Sequence, residues 1–194
     1  ATTTTITKRL RVSRAHAYPG VAAALSAACD GGGHSNNNGV EAMAALNATH
    51  VVASCEAAGS HDAADLAPAF VFDLAAETAR RFSYHLADGL QPTDLARLPD
   101  YGSPPPPEPS AGGSATTRNT SRIPRGLLVL ERDYTPSYGN RIRIRRIDAR
   151  ALDAAAASGG VLRGSLIADL NPDDHQLDNF EGLAIRRPHP QVAA

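Results

Sequence analysis

The sequence lacks several features that would point directly to a class of protein. It has no apolar run long enough to span a bilayer, so a membrane-spanning helix is excluded. Its 194 residues carry 19 Lys and Arg against 20 Asp and Glu, a net charge of -1. No overall field would therefore recruit nucleic acid or an anionic membrane, and we expect neither as a partner.

Two kinds of catalytic centre are missing as well. The seven histidines include no pair at the spacing of zinc ligands, so zinc chemistry is not expected. No Gly-x-Ser-x-Gly motif occurs, which argues against a serine esterase. The two cysteines, Cys29 and Cys55, also lack metal-ligand spacing. Two unpaired buried thiols are the commoner outcome in a chain of this size, and one disulfide is the alternative.

The length fits one domain with a real hydrophobic core. Residue 1 is alanine and no charged-then-apolar segment follows, so we expect a mature form or an internal fragment without a targeting peptide. Two glycosylation sequons, Asn47-Ala48-Thr49 and Asn119-Thr120-Ser121, are meaningful only if the protein is exported. An extracytoplasmic or secreted location is slightly favoured over others.

An acidic segment recurs along the chain. Residues 178–184 (Asp-Asn-Phe-Glu-Gly-Leu-Ala) read almost like residues 38–44 (Asn-Gly-Val-Glu-Ala-Met-Ala), and residues 91–96 form a shorter copy with aspartate. Recurrence of one acidic strand start at irregular intervals is typical of a repeat architecture. Each copy would deliver one carboxylate, that of Glu41, Asp94 or Glu181, to an equivalent place in the fold.

Short apolar segments separated by turn residues follow each of the first two copies. Four predicted strands lie between residues 41 and 86, four more lie between residues 94 and 170, and a third set opens at Glu181. Four antiparallel strands repeated around an axis form the blades of a β-propeller. We therefore predict an all-β fold, a partial β-propeller of about two to three four-stranded antiparallel blades.

Three segments break this pattern. The alanine-rich residues 21–28 predict one short helix near the N-terminus, and residues 151–157 predict a helical turn that ends at Gly159. Residues 103–125 contain four consecutive prolines and many Gly, Ser and Thr residues. This insert cannot bury enough apolar surface to order itself, so we expect a disordered loop between two strands of one blade.

Taken together, the pieces resemble the phytase-like family, named for the esterase-like activity of phytase. The matching pieces are residues 38–44, 82–85 leading into 91–96, 127–132, 141–144 and 178–184. The resemblance covers about residues 36–187 without the insert. The family's opening blade and the strands expected after residue 184 have no counterpart in this chain, so residues 1–194 resemble an incomplete propeller domain.

The resemblance and the repeat together predict the site residues. Members of the family are similar in architecture to propeller phytases, which use calcium bound by carboxylates. Glu41, Asp94 and Glu181 would converge near the propeller axis, where clustered carboxylates shift one another's pKa and bind hard cations. They are the predicted catalytic residues and calcium ligands. In the structural alternative, each carboxylate caps backbone amides of a neighbouring blade and only holds the ring together.

Further residues could bind a ligand at the same place. Asp178 and Asn179 could supply more oxygens, and Glu131 with Arg132 could bind phosphate, although a salt bridge between blades is the commoner use of such a pair. Arg141, Arg143 and Arg145 alternate with isoleucines. This alternation favours a half-buried strand with a solvated cationic face over phosphate binding by guanidinium groups.

The leading functional hypothesis is a phytase-like phosphoester hydrolase that acts on a small phosphorylated molecule. A carboxylate-held calcium ion would polarise the phosphoryl oxygen and lower the pKa of the attacking water; no other cofactor is expected. The alternative is a non-catalytic propeller used for binding or as a scaffold. Because an open propeller exposes apolar blade faces, we also expect copies of the chain to associate.

Overall fold

The computed structural model describes residues 25, 28–29, 39–57, 62–99, 126–175 and 177–185. Most of these residues lie in nine strands: β1 (Val40–Ala45), β2 (His50–Cys55), β3 (Leu66–Asp73), β4 (Thr78–His85), β5 (Gln91–Arg97), β6 (Gly126–Thr135), β7 (Gly139–Asp148), β8 (Val161–Leu162) and β9 (Ser165–Leu170). The prediction of a mostly β fold is confirmed.

The strands form two sheets. Sheet A has the order β1-β2-β3-β4-β8, with antiparallel pairing among the first four strands and the two-residue β8 parallel to β4. Sheet B has the order β5-β6-β7-β9 and is antiparallel throughout. The two predicted sets of four strands are therefore present at the predicted places, and β8 is an addition to sheet A.

The closing parts of the predicted architecture are not seen in the described residues. The two sheets do not complete a ring, and residues 177–185, where the third set was expected to open, form no strand. The proline-rich insert 103–125 lies outside the described residues. Its flanking strands β5 and β6 are antiparallel neighbours, with Leu98 N donating to Gly126 O at 3.0 Å. No helix in the described part of the chain is long and apolar enough to cross a membrane.

Two clusters of buried apolar side chains pack against the sheets. The larger cluster lies between the sheets and includes Phe82 and Tyr84 of β4 and Leu127 and Val129 of β6. The smaller one covers the other face of sheet A, around Phe70 and Phe72 of β3, whose rings stack with centroids 5.6 Å apart. Because successive side chains of a strand point to opposite faces, the apolar run of β3 supplies both clusters.

The helix with described bounds is α1 (Ala149–Ser158), in the C-terminal half of the chain. Asp148 caps its N-terminus by accepting a hydrogen bond from Arg150 N at 2.8 Å, and Gly159 ends it in the left-handed conformation. The helical turn predicted at residues 151–157 is thus a full helix. The prediction that the fold has one short helix near the N-terminus is wrong, because the α-helix with described bounds lies in the C-terminal half. Of the segment 21–28, Leu25 and Ala28 are helical and the remainder lies outside the described residues.

Cys29 and Cys55 form a disulfide. The expectation of two unpaired thiols is therefore wrong. Both cysteines are buried in the smaller apolar cluster, where Leu25 and Ala28 also pack. The bond ties Cys29 to β2, and Leu25, Ala28 and Cys29 pack on the outer face of sheet A.

Candidate functional site

Glu41 and Asp94 both lie near the start of the first strand of their sheet, Glu41 within a register shift and Asp94 directly after one. Each sheet has a register shift where its first strand begins, between Val40 and Ala42 in β1 and between Pro92 and Asp94 in β5. Such bulges re-aim nearby side chains and are frequent beside functional sites. Strand β1 packs beside β5, so the two strand starts lie on neighbouring strands of different sheets.

Both oxygens of the Asp94 carboxylate accept hydrogen bonds from backbone amides. Its Oδ1 accepts a hydrogen bond from Leu95 N at 2.8 Å, and its Oδ2 accepts one from Leu183 N at 2.6 Å. Leu183 belongs to the third copy of the acidic repeat. This is the contact that the structural alternative predicts: the acid of one repeat binds the backbone of the next.

The Glu181 carboxylate instead pairs with an arginine side chain. Its Oε1 lies 3.3 Å from Arg132 Nη1 and accepts a hydrogen bond from Asn179 Nδ2 at 2.6 Å. The Asp178 side chain bonds to its own neighbour in the chain: its Oδ1 accepts a hydrogen bond from Asn179 N at 2.7 Å. Among these predicted site residues, Arg132, Asn179 and Glu181 are therefore brought together.

Glu56 joins this group from the end of β2 and was not selected from the sequence as a site residue. It is 8 % exposed. Burial raises its pKa, the neighbouring Glu41 raises it further, and the Arg132 guanidinium opposes the rise. Glu41, Glu56, Arg132, Asn179 and Glu181 are called the acid–arginine cluster below. The side chain of Arg132 is 19 % exposed and that of Glu181 is 65 % exposed, so solvent reaches the cluster.

Glu131 does not share a site with Arg132. Consecutive residues of a strand face opposite sides, and Glu131 points into the space between the sheets. It is fully buried, accepts a hydrogen bond from Tyr84 Oη at 2.5 Å and pairs with Arg145 Nε at 2.9 Å. Burial raises the pKa of Glu131, while the hydrogen bonds from Tyr84 and Arg145 oppose the rise. The predicted Glu131–Arg132 pair is corrected: each residue contacts a different partner.

The arginines of β7 do not form a solvated cationic face. Arg143 is buried and binds Asp169 at 2.9 Å and Asp88 at 2.5 Å, and Arg141 also binds Asp169, at 2.9 Å. Burial would raise the pKa of Asp169, but the two guanidinium groups outweigh it and the pKa is lowered. Hydrogen bonding to Arg143 likewise lowers the pKa of Asp88. Arg141, Arg143 and Arg145 are thus committed to ion pairs.

The partners of these arginines could not be chosen from the sequence. Alternation along β7 showed that Arg141, Arg143 and Arg145 share a face, but alternation alone does not say what that face meets. Asp169 lies directly opposite Arg143 on β9. An acid on the adjacent predicted strand was the one available signal, because opposite charges pair across neighbouring strands.

The described residues do not fit a calcium ion. Nowhere in that part of the chain do three His, Cys, Asp or Glu side chains come close enough to hold a metal ion. Both oxygens of Asp94 are used by amides, and Glu181 is used by Arg132 and Asn179. Calcium prefers six to eight oxygen ligands. Glu41, Asp94 and Glu181 alone do not assemble such a set.

A surface pocket of about 350 Å³ lies at the turn between β6 and β7. It is lined by Asp133, Tyr138, Arg141, Asn171 and neighbouring residues. Arg141, which was weighed above for phosphate binding, lines it, whereas Glu41, Asp94, Glu131, Arg132, Asp178, Asn179 and Glu181 do not. The acid–arginine cluster is therefore an open surface site, separate from this pocket.

Residues 108–192 match the family model described as Phytase-like: Esterase-like activity of phytase. The predicted resemblance to the phytase-like family is confirmed over this segment. The match spans slightly less than half of the chain and includes β6 to β9, Arg132 and Glu181. The earlier pieces quoted for the resemblance, residues 38–44 and 82–96, lie outside it. No curated protein and no solved structure matches the chain.

Proposed function

We propose that the chain is part of a phytase-like domain that hydrolyses phosphoesters, with the acid–arginine cluster as its reactive surface. The observation that carries the proposal is the match of residues 108–192 to the phytase-like family, because this segment contributes Arg132, Asn179 and Glu181. Glu41 and Glu56 come from the first repeat. The cluster thus combines residues of three repeats, and two of the three predicted carboxylates, Glu41 and Glu181, belong to it.

Within the cluster, Arg132 would bind a phosphoryl oxygen, since guanidinium groups pair well with phosphate. Glu41 or Glu181 would take the proton of the attacking water as the new bond between water oxygen and phosphorus forms. Glu56 would act as the general acid and donate a proton to the leaving ester oxygen as its bond to phosphorus breaks; burial and the neighbouring Glu41 raise its pKa, which favours this role. Asp94 would position residues 181–184 through Leu183 and would not itself react.

We also propose that the two sheets are adjacent blades of a β-propeller and that residues 177–185 open a third. Two arguments support this. Each sheet contributes four antiparallel strands in sequence order, and β1 and β5 lie side by side as innermost strands would. Calcium assistance remains a prediction, and no step above depends on it.

Release of phosphate from a generic phosphomonoester such as 4-nitrophenyl phosphate tests the activity, with calcium and with a chelator in parallel. We expect Glu56→Gln to lower the rate by about 100-fold or more, the usual contribution of an acid–base group. Arg132→Gln should also lower it by about 100-fold or more, because it removes a donor that stabilises the charge on the phosphoryl oxygens. Glu77→Gln on the β3–β4 turn and Arg150→Gln on α1 are matched controls at exposed positions outside the cluster. Equal rates in all variants would refute the assignment.

The alternative function, a non-catalytic propeller for binding or scaffolding, has one observation in its favour. Asp94, Arg132 and Glu181 already have partners that connect one repeat to the next. On this hypothesis Asp94→Asn and Glu181→Gln would lower thermal stability, and no phosphate release would be found in the unmodified chain. Measuring melting temperature and phosphate release on the same samples separates the two functions.

A further inference from the structure

The β1–β2 hairpin carries one of the two Asn-X-Thr/Ser sequons at its tip. Asn47, Ala48 and Thr49 fall between the end of β1 and the start of β2. Ala48 and Thr49 are exposed and Asn47 is half-buried. Acceptor asparagines of N-linked glycans lie on surface loops of exported proteins, and this hairpin tip meets the surface requirement.

The Asn47 side chain is oriented by its oxygen. Its Oδ1 accepts hydrogen bonds from Thr49 N and His50 N, both at 2.8 Å, which makes an Asx turn. The Thr49 hydroxyl also lies 3.2 Å from the same oxygen. With the oxygen held against the turn, the Nδ2 group makes no hydrogen bond to any described residue. Within the described part of the chain the acceptor nitrogen is therefore unpaired, and the hydroxyl that the sequon requires lies beside the same amide group.

A second, independent observation bears on the compartment. Cys29 and Cys55 are joined in a disulfide that is buried in the smaller apolar cluster. Structural disulfides form and persist in oxidising compartments and are rare where thiols are kept reduced. N-linked glycans are added on the same export route on which disulfides form. The disulfide and the sequon therefore both indicate that the chain is exported.

We propose that Asn47 is an N-glycosylation site. The donor would be an oligosaccharide linked to a polyprenyl diphosphate. Asn47 Nδ2 bonds to the anomeric carbon of the first sugar as the bond from that carbon to the diphosphate oxygen breaks. The lipid diphosphate leaves with the bonding electron pair, and one amide proton passes to a base of the transferase.

The position keeps the glycan away from the acid–arginine cluster. Glu41 lies near the start of β1 and Asn47 two residues beyond its end, and their separation of six residues corresponds to about 20 Å at the rise of a strand. The oligosaccharide would cover the hairpin tip of sheet A and leave Arg132 and Glu181 open. Glycosylation of Asn47 is therefore independent of the proposed hydrolase function, and each proposal can be refuted without the other.

The test is secretion of the full chain from eukaryotic cells, followed by peptide mass spectrometry with and without peptide-N-glycosidase. We expect a glycan on the Asn47 peptide and conversion of Asn47 to aspartate on enzymatic release. Thr49→Ser keeps the sequon and should keep the glycan, whereas Thr49→Ala and Asn47→Gln should lose it. Asn119→Gln removes the other sequon and should leave the Asn47 glycan unchanged.

Two results would overturn the proposal. One is an unmodified Asn47 peptide in secreted, unsubstituted protein whose Cys29–Cys55 bond has formed. The other is a glycan at position 47 that survives Thr49→Ala, because the sequon would then not determine it. Both results are read on protein that has left the cell, so a variant that fails to fold does not obscure the outcome.

Discussion

The buried contact of Glu131 with Arg145 gives the sharpest stability prediction. Arg145→Met removes the guanidinium 2.9 Å from a carboxylate that is fully buried between the sheets. Breaking a buried ion pair by removing one partner costs about 3–5 kcal/mol, because an uncompensated charge remains. Tyr84→Phe removes only the hydroxyl donor, and a hydrogen bond to a charged group contributes about 1.5–3 kcal/mol. Urea unfolding measures both.

The pH dependence of the Arg145→Met cost identifies its cause. Without the guanidinium, nothing from Arg145 opposes the effect of burial, so the folded-state pKa of Glu131 rises further above its unfolded value. A group with a raised folded pKa contributes stability that is fully present below its unfolded pKa and is lost as the pH rises through the folded pKa. The destabilisation by Arg145→Met should therefore be larger at pH 8 than at pH 5.

The control for this prediction lies next in the chain. Arg146 is exposed and faces away from Glu131, so Arg146→Met should change the free energy of unfolding by about 0.5 kcal/mol or less. Replacing the pair together, as Glu131→Leu with Arg145→Met, removes both charges and should recover much of the loss, since an apolar pair of similar volume is often neutral. A pH-independent loss, or no loss at all, would refute the assigned role of the pair.

Three further predictions concern other parts of the chain. Deleting residues 103–125 and joining Gly102 to Gly126 should leave the melting temperature nearly unchanged, because the flanking strands are already neighbours; a large drop would make the insert structural. Cys55→Ser opens a loop of 26 residues and should cost about 3.5 kcal/mol by the chain-entropy relation, and an equal midpoint in urea would contradict it. Burial and Glu41 raise the folded pKa of Glu56, so the stability of the unsubstituted chain relative to Glu56→Gln should fall from pH 4 to pH 7; urea curves showing a constant difference would exclude this linkage.

The strands could be predicted because their signals are local. Apolar segments of strand length bounded by Gly, Pro, Asn and Asp placed both sets of four, and Gly159 correctly ended α1. Glu41 and Asp94, which the acidic segments singled out, both lie near the start of a strand. These are properties of a few neighbouring residues, and a sequence records them directly.

The partners of charged side chains could not be predicted, because they depend on which face meets which sheet. Glu131 and Arg132 are adjacent in sequence, yet one binds Tyr84 across the sheet interface and the other binds Glu181 on the opposite face. The disulfide could not be predicted for the same reason. Cys29 and Cys55 meet because Leu25, Ala28 and Cys29 pack on the outer face of sheet A, a tertiary contact that no spacing rule encodes.

The contacts between the sheets imply that the segment matched to the phytase-like family does not fold by itself. Glu131 and Arg143 are buried in sheet B, but their partners Tyr84 and Asp88 lie before residue 108, as does all of β5. A chain of residues 108–194 would leave Glu131 without its hydroxyl donor, expose the ladder edge of β6 and uncover Leu127 and Val129. Unpaired polar groups and a bare strand edge both disfavour an isolated sheet. Circular dichroism of this fragment should show no cooperative thermal transition, whereas residues 39–194 should retain one. A sharp transition in the short fragment would mean that the links between the sheets contribute little to the fold.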